Sequence, residues 1–207
     1  MNSKYKILIT GAAGFLGSHL VEKLHILGHT VIGIDNMMGG YADNIIKGTE
    51  FHNLDCCDLP KIQEVMKGVD VVYHCAATAH EGLSVFSPFE ITKNNYLASV
   101  SIFTAAINEK VKRIIFCSSM ARYGDQVPPF TEDMKTKPLD PYGISKVASE
   151  EVLKNLCELN GIEWVIAVPH NIIGPRQIYD DPFRNVVSIF INRMLQSKSP
   201  IIYGNGE

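Results

Sequence analysis

The stretch KILITGAAGFLG, Lys6 to Gly17, decides the fold. Its first half, KILIT, is a short apolar run that reads as a strand. Gly11, Gly14 and Gly17 follow, and a helical pattern then continues to Leu27. A strand that breaks into glycines and opens a helix makes the tight turn of a nucleotide-binding α/β unit. The first glycine permits the sharp turn. The second lets a pyrophosphate approach the backbone, and the third lets the helix pack on the sheet. The helix start then offers bare N–H groups and a partial positive charge to the phosphates. The spacing is GxxGxxG rather than GxGxxG, so the triplet alone also fits a structural turn in another α/β protein.

The next strand, TVIGID at 30–35, adds a second feature, because it ends in Asp35. An acid at that point accepts hydrogen bonds from the adenosine ribose hydroxyls. Asn36, Met37 and Met38 follow, and the first basic residue after them is Lys47. A ribose 2′-phosphate would meet Asp35 with no cation beside it in this loop. The expected cofactor is therefore NAD rather than NADP.

Further along, apolar runs at 50–54, 69–76, 111–119 and 162–168 read as strands. Helical patterns cover Pro88–Glu109, Pro141–Asn160 and Val186–Gln196. Strands that are apolar on both faces and alternate with helices predict a parallel sheet covered on both sides. The right-handed crossover rule makes this a doubly wound α/β fold. The loops at 36–49 and 120–140 are long enough to suggest a function.

Composition excludes several classes. The chain has 207 residues, enough for one sizeable core and part of a second domain. Its net charge is −3 and its basic residues are scattered. That argues against a nucleic-acid or membrane surface. The N-terminus runs straight into the first strand, and no apolar run spans a bilayer, so a cytoplasmic protein is expected. The five cysteines, Cys56, Cys57, Cys75, Cys117 and Cys157, form no CxxC pair and read as free thiols. No metal site is expected. His25 and His29 are four apart, but Gly28 closes the helix between them.

A second motif carries chemistry. In DPYGISK, Asp140 to Lys146, a tyrosine and a lysine stand four apart on a helix and share a face. In isolation the pair also fits a capped surface helix with a routine contact. With a dinucleotide nearby, the Lys146 ammonium and a cationic nicotinamide would lower the Tyr142 pKa from its usual value near 10. The phenolate would then take a proton from a substrate hydroxyl.

With TGAAGFLG, HCAA, SSMARYG and YGISK in this order, the sequence resembles the extended short-chain dehydrogenase/reductase superfamily. Within it, the chain is similar to the NAD-dependent epimerase/dehydratase family, which acts on nucleotide sugars. The resemblance implies a Rossmann domain over 1–168 and the start of a smaller substrate domain over 169–207, with the family continuing beyond Glu207. It implies that Phe15 and Leu16 line the pyrophosphate turn and that Asp55 and Cys56 flank adenine. Cys75, Ala76 and Ala77 would run beneath the cofactor, with Asn95 near it and Asn36 beside Asp35. Pro169 and His170 would lie near the nicotinamide, and Asn171 near the substrate diphosphate. Ser119 would hydrogen-bond the reacting hydroxyl and relay its proton, with Met120 beside it.

The resemblance further implies a UDP-linked sugar oxidised at C4 to a ketone. Elimination in this family uses an acid–base pair beside the serine or threonine, and decarboxylation usually uses a glutamate there. Here those neighbours are Met120 and Ala121, which favours 4-epimerisation. Arg122 stands where valine is common, as a substrate contact or a solvated loop charge. A homodimer is expected through Ala98, Ile102, Ala105 and Ala106 on one helix and Val147, Val152, Leu156 and Leu159 on another. A net oxidoreductase of the same fold and a non-catalytic dinucleotide-binding module remain as alternatives.

Overall fold

The computed structural model describes residues 4–181, 186–202 and 204. The chain forms two compact units that divide between His170 and Asn171. The first holds a parallel sheet of six strands in the order β3-β2-β1-β4-β5-β6. These strands are β1 (Lys6–Thr10), β2 (Thr30–Asp35), β3 (Glu50–Asn53), β4 (Val71–His74), β5 (Arg113–Cys117) and β6 (Glu163–Ala167). The order reverses at β1, so the strand ends of β1 and β4 flank the switch point where open α/β sheets bind ligands. This is the doubly wound fold that the alternating pattern predicts.

Strand β1 shows why the sheet is buried on both faces. Its side chains alternate, and Leu8 joins a core with Ile32, Val72, Ile114 and Phe116. Ile7 and Ile9 join a second core on the other face with Val21, Leu24 and Val31. The helices that cover the sheet are α1 (Phe15–Ile26), α2 (Leu59–Met66), α3 (Glu81–Ser84), α4 (Pro88–Ile91), α5 (Ala98–Asn108) and α6 (Pro141–Asn160). Helix α2 was not apparent in the sequence. It is short, but Asp58 caps it by accepting the Lys61 N–H, and it buries Ile62 and Met66.

The helix expected over 88–109 is interrupted. A π turn at Thr92–Leu97 joins α4 to α5. From the first turn of α5, the Ser99 hydroxyl bonds back to the Asn95 carbonyl of this turn at 2.5 Å. The expected dimer face on α5 is also corrected. Ala98, Ile102, Ala105 and Ala106 are buried in this chain's own core, so they are not available to a second copy. Val152 and Leu156 pack against that same core, and Leu159 alone of the named positions is largely exposed.

A buried polar chain ties β1, β4 and α5 together. The Ala76 N–H donates to Thr10 Oγ1 at 3.1 Å. Thr10 Oγ1 lies 2.7 Å from His74 Nδ1, and His74 Nε2 lies 2.9 Å from Ser99 Oγ. Ser99 spends its proton on Asn95, so it must accept from His74 Nε2–H, and Nδ1 accepts from Thr10. Each member is satisfied only if His74 is neutral. Burial pushes its pKa down from 6.5 to about 3, and the Lys146 charge adds to this. Between those values the unfolded chain binds a proton that the folded chain does not. Stability is therefore complete above pH 6.5 and falls as pH drops, by about 1.4 kcal/mol per unit from this residue. Denaturation at pH 5 to 7 is expected to show a flatter pH dependence in His74→Gln. Parallel slopes would remove His74 as the source.

The second unit begins at Asn171. Its helix α7 (Val186–Leu195) is held at its end by Arg193, whose Nε donates to the Ser199 carbonyl at 2.7 Å. Asn192 Nδ2 donates to the Tyr179 carbonyl at 3.0 Å. Among the described residues, no helix is long and apolar enough to cross a membrane.

Candidate active site

The glycine turn closes on itself. Gly14 donates its N–H to the Gly11 carbonyl at 3.0 Å and forms the N-cap of α1 without a side-chain cap. The first-turn N–H groups of α1 are thus not covered by a capping side chain, as phosphate binding requires. A Cβ on Gly17 would lie 2.0 Å from the Gly11 carbonyl oxygen. No side chain fits there without displacing the turn. Gly11, at φ +71°, faces the Ala76 backbone, where a Cβ would meet Cα at 3.0 Å. The cradle is therefore shaped by missing side chains, which suits a dinucleotide phosphate. Gly17→Ala is expected to weaken NAD binding at least tenfold and to cost about 1–3 kcal/mol, the range for overpacking. Fluorescence titration and thermal unfolding read the two effects, and unchanged affinity would refute the assignment of the cradle.

The 36–49 loop folds over this turn. Tyr41 N–H and Asn44 Nδ2 both donate to the Ala13 carbonyl, at 3.1 and 3.0 Å. Asn44 was not singled out by sequence, because its partner lies across the turn. Asp35 is buried, and its carboxylate accepts Ala13 N–H at 3.0 Å and Met37 N–H at 2.8 Å. Two of its acceptor positions are thereby used in bracing the loop, and two remain for a ribose. Asn36 turns back to accept the Met38 N–H at 3.1 Å. Leu54 N–H donates to the Asp35 carbonyl, which brings Asp55 and Cys56 to this end. Asp55 accepts the Cys57 N–H at 2.8 Å, and burial pushes the Cys56 thiol up to about 12. Asn95 is spent on scaffolding. Its amide spans the Thr78 backbone at 2.8 and 3.2 Å and reaches Ser145 at 3.4 Å.

At the other end, Ser119, Tyr142 and Lys146 converge. Asp140 caps α6 by accepting the Gly143 N–H at 2.8 Å, with Pro141 in the first turn. A Cβ on Gly143 would stand 2.9 Å from the Ala121 carbonyl. That bare glycine lets the start of α6 approach the segment after Ser119. The Ser119 side chain lies near enough to the Tyr142 hydroxyl to favour its ionised form, and Ser119 Oγ accepts the Ala121 N–H at 3.2 Å. Lys146 is 3% exposed. Its ammonium donates to the Cys117 carbonyl at 2.8 Å and lies 5.9 Å from the Tyr142 ring centre. Burial lowers the Lys146 pKa, while Cys117, Cys75 and Glu150 oppose that.

In the chain without a dinucleotide the Tyr142 phenol is not acidic. Burial pushes the phenol up to about 12; the Ser119 hydrogen bond lowers it, and the charges of Cys117, Glu81 and Asp140 add to the rise. A positive charge bound beside the phenol would favour the phenolate, as expected of a nicotinamide. The reading of Arg122 as a solvated loop charge is corrected. Arg122 pairs with Glu150 at 3.2 Å, with side-chain exposures of 11% and 0%. Ser118 donates to the other Glu150 oxygen. Met120 follows Ser119 in a single 3₁₀ turn at Met120–Tyr123. Cys75 and Ala77 are half-buried beyond β4, and Phe15 packs edge-on against His19. Leu16 is half-buried. Pro169 and His170 end the first unit, and Asn171 opens the second with φ 45°.

Comparison with known proteins follows the same lines. A family model described as the NAD dependent epimerase/dehydratase family matches residues 7–207. A putative UDP-glucose 4-epimerase from Methanocaldococcus jannaschii is 40% identical over 97% of this chain and 66% of its own. A UDP-N-acetyl-alpha-D-glucosaminuronate decarboxylase from Bacillus cytotoxicus is 32% identical over 99% of this chain and 65% of its own. The crystal structure of a Thermotoga maritima UDP-glucose 4-epimerase with UDP-glucose superposes with a TM-score of 0.93 at 34% identity, covering 98% of this chain and 67% of that one. The chain thus spans about two thirds of the length of the relatives it matches.

Proposed function

Because this chain belongs to the NAD-dependent epimerase/dehydratase family, we propose that it is part of an NAD-dependent UDP-hexose 4-epimerase. The observation that carries this reading is the convergence of Tyr142, Ser119 and Lys146 at the strand ends beside an uncapped, glycine-lined helix start. The residues that would hold NAD are the Gly11–Gly17 turn for the pyrophosphate, Asp35 for the adenosine ribose, and Tyr142 with Lys146 for the nicotinamide ribose. Bound NAD would supply a hydride acceptor and donor and the positive charge of its nicotinamide.

The chain's own residues handle the proton. Tyr142, as phenolate, accepts the proton of the sugar C4 hydroxyl, and Ser119, close to it, relays that proton. Lys146 is fixed on the Cys117 carbonyl and carries charge close to the tyrosine ring. In the return step Tyr142 gives the proton back to the C4 oxygen. Met120 and Ala121 beside Ser119 offer no carboxylate for elimination. Asp140, the other acid near Tyr142 besides Glu81, is engaged as the α6 cap. That leaves no ready acid–base pair there, which favours epimerisation over dehydration.

The test is proton NMR of UDP-glucose and UDP-N-acetylglucosamine with the full-length protein and NAD. A new anomeric signal from the C4 epimer is expected. A 6-methyl signal would replace the reading with a 4,6-dehydratase. No change for either sugar would overturn the assignment to UDP-hexose 4-epimerisation.

A further inference from the structure

Hydrogen bonds that the proton transfer does not use join the glycine turn to the helix that carries Tyr142 and Lys146; what they imply rests on the reading of Tyr142 as the base beside NAD. One end is Thr10, the residue before Gly11. Its hydroxyl accepts the Ala76 N–H at 3.1 Å and bonds His74 Nδ1 at 2.7 Å. His74 Nε2 donates to Ser99 Oγ at 2.9 Å, and Ser99 gives its own proton to the Asn95 carbonyl at 2.5 Å. The Asn95 side chain then crosses to α6. It accepts the Thr78 N–H at 2.8 Å, and its amide donates to the Thr78 carbonyl at 3.2 Å and to Ser145 Oγ at 3.4 Å. Ser145 stands directly before Lys146, and its hydroxyl donates to the Tyr142 carbonyl at 2.7 Å. Thr10, His74, Ser99, Asn95 and Ser145 are all buried.

Asn95 lies in the π turn at Thr92–Leu97, a rare local geometry that occurs mostly at functional sites. Ser99 grips that turn from outside it, by the Asn95 carbonyl. Without the Ser99 hydroxyl, the buried His74 Nε2–H loses its acceptor and the Asn95 carbonyl loses its donor. The Asn95 amide would then shift against Thr78 and Ser145. The start of α6 would move relative to the backbone at Ala76, which abuts Gly11.

We propose that Ser99 is a positioning residue: by holding the Asn95 carbonyl it sets the start of α6, and with it Tyr142 and Lys146, against the backbone beside the glycine turn. A Tyr142 displaced from the nicotinamide charge ionises at higher pH.

The test is an ultraviolet titration of Tyr142 in the NAD-loaded full-length protein, with Tyr142→Phe as the blank. Ser99→Ala is expected to raise the phenolate midpoint by about one pH unit. Ser145→Ala cuts the same line at α6 and is expected to raise it similarly. The double variant should shift no further than either single one, because both act through Asn95. Ile102→Val, also buried on α5, should lower the melting temperature and leave the midpoint in place, which separates positioning from a loosened core. An unmoved midpoint in Ser99→Ala overturns the assignment, as does one in Ser145→Ala should Ser99→Ala fail to fold. Additive shifts in the double variant, or a shift in Ile102→Val as large as in Ser99→Ala, overturn it too. The two readings fail distinguishably. A Tyr142 with no NAD-dependent titration would refute the base and the link with it, whereas one that titrates normally but ignores Ser99→Ala refutes the link alone.

Discussion

Tyr142→Phe is expected to lower nucleotide-sugar turnover by about 10³-fold, within the usual range for a general acid–base group, while NAD affinity changes little. The hydroxyl is the only atom removed. The ring stays beneath Lys146, whose ammonium is anchored on the Cys117 carbonyl rather than on the phenol. Folding should therefore survive, and the loss should fall on kcat more than on KM. The pH profile carries a second check. Burial holds the phenol at about 12 in the chain itself, so little phenolate exists near neutrality without an added cation. Activity should rise with pH, and its midpoint in the NAD-bound enzyme should lie well below 12. Lys146→Met should move that midpoint upward, because it removes the remaining nearby positive charge. A Tyr142→Phe protein with normal turnover would end the role given to this hydroxyl.

Arg122→Leu is expected to destabilise the protein by about 3–5 kcal/mol, the range for breaking a buried ion pair from one side. Glu150 has no exposed side-chain surface, and Arg122 is its ion-pair partner at 3.2 Å. Without that guanidinium, the carboxylate keeps only the Ser118 hydrogen bond and the more distant Lys146 charge. For a chain of this size the loss lowers the melting temperature by roughly 6–20 °C. Arg122 also lies over the Tyr123 ring at 5.1 Å, which secures the turn that follows Ser119. Activity should fall further than stability alone requires, because the segment presenting Ser119 to Tyr142 loses its anchor. Arg122→Leu combined with Glu150→Leu should recover most of the stability, since replacing both partners with apolar groups avoids the stranded charge. A single Arg122→Leu loss below about 1 kcal/mol would show that Glu150 is satisfied by other means.

Much of the site was legible from local pattern. Lys6 to Gly17 specifies strand, turn and helix within one short span, and the need for bare glycines there is a steric property of neighbouring backbone. The alternation of apolar strands and helices specified the sheet, because β1 buries both of its faces. The spacing of Tyr142 and Lys146 on one helix face likewise needs only the helical repeat.

What the tertiary structure decided are quantities that depend on partners distant in sequence. Thr10 meets His74 across 64 residues, and the tautomer of that histidine follows only once Ser99 is found to spend its proton on Asn95. Arg122 resembles a loop charge until α6 brings Glu150 beneath it. Ala98, Ile102, Ala105 and Ala106 form an apolar stripe whose period fits a dimer seam or a core face equally well, and burial against the sheet selects the core. The resting pKa of Tyr142 before any dinucleotide binds is likewise a tertiary quantity, because the cost of burying a phenolate is set by everything packed around the ring and not by the spacing of two residues.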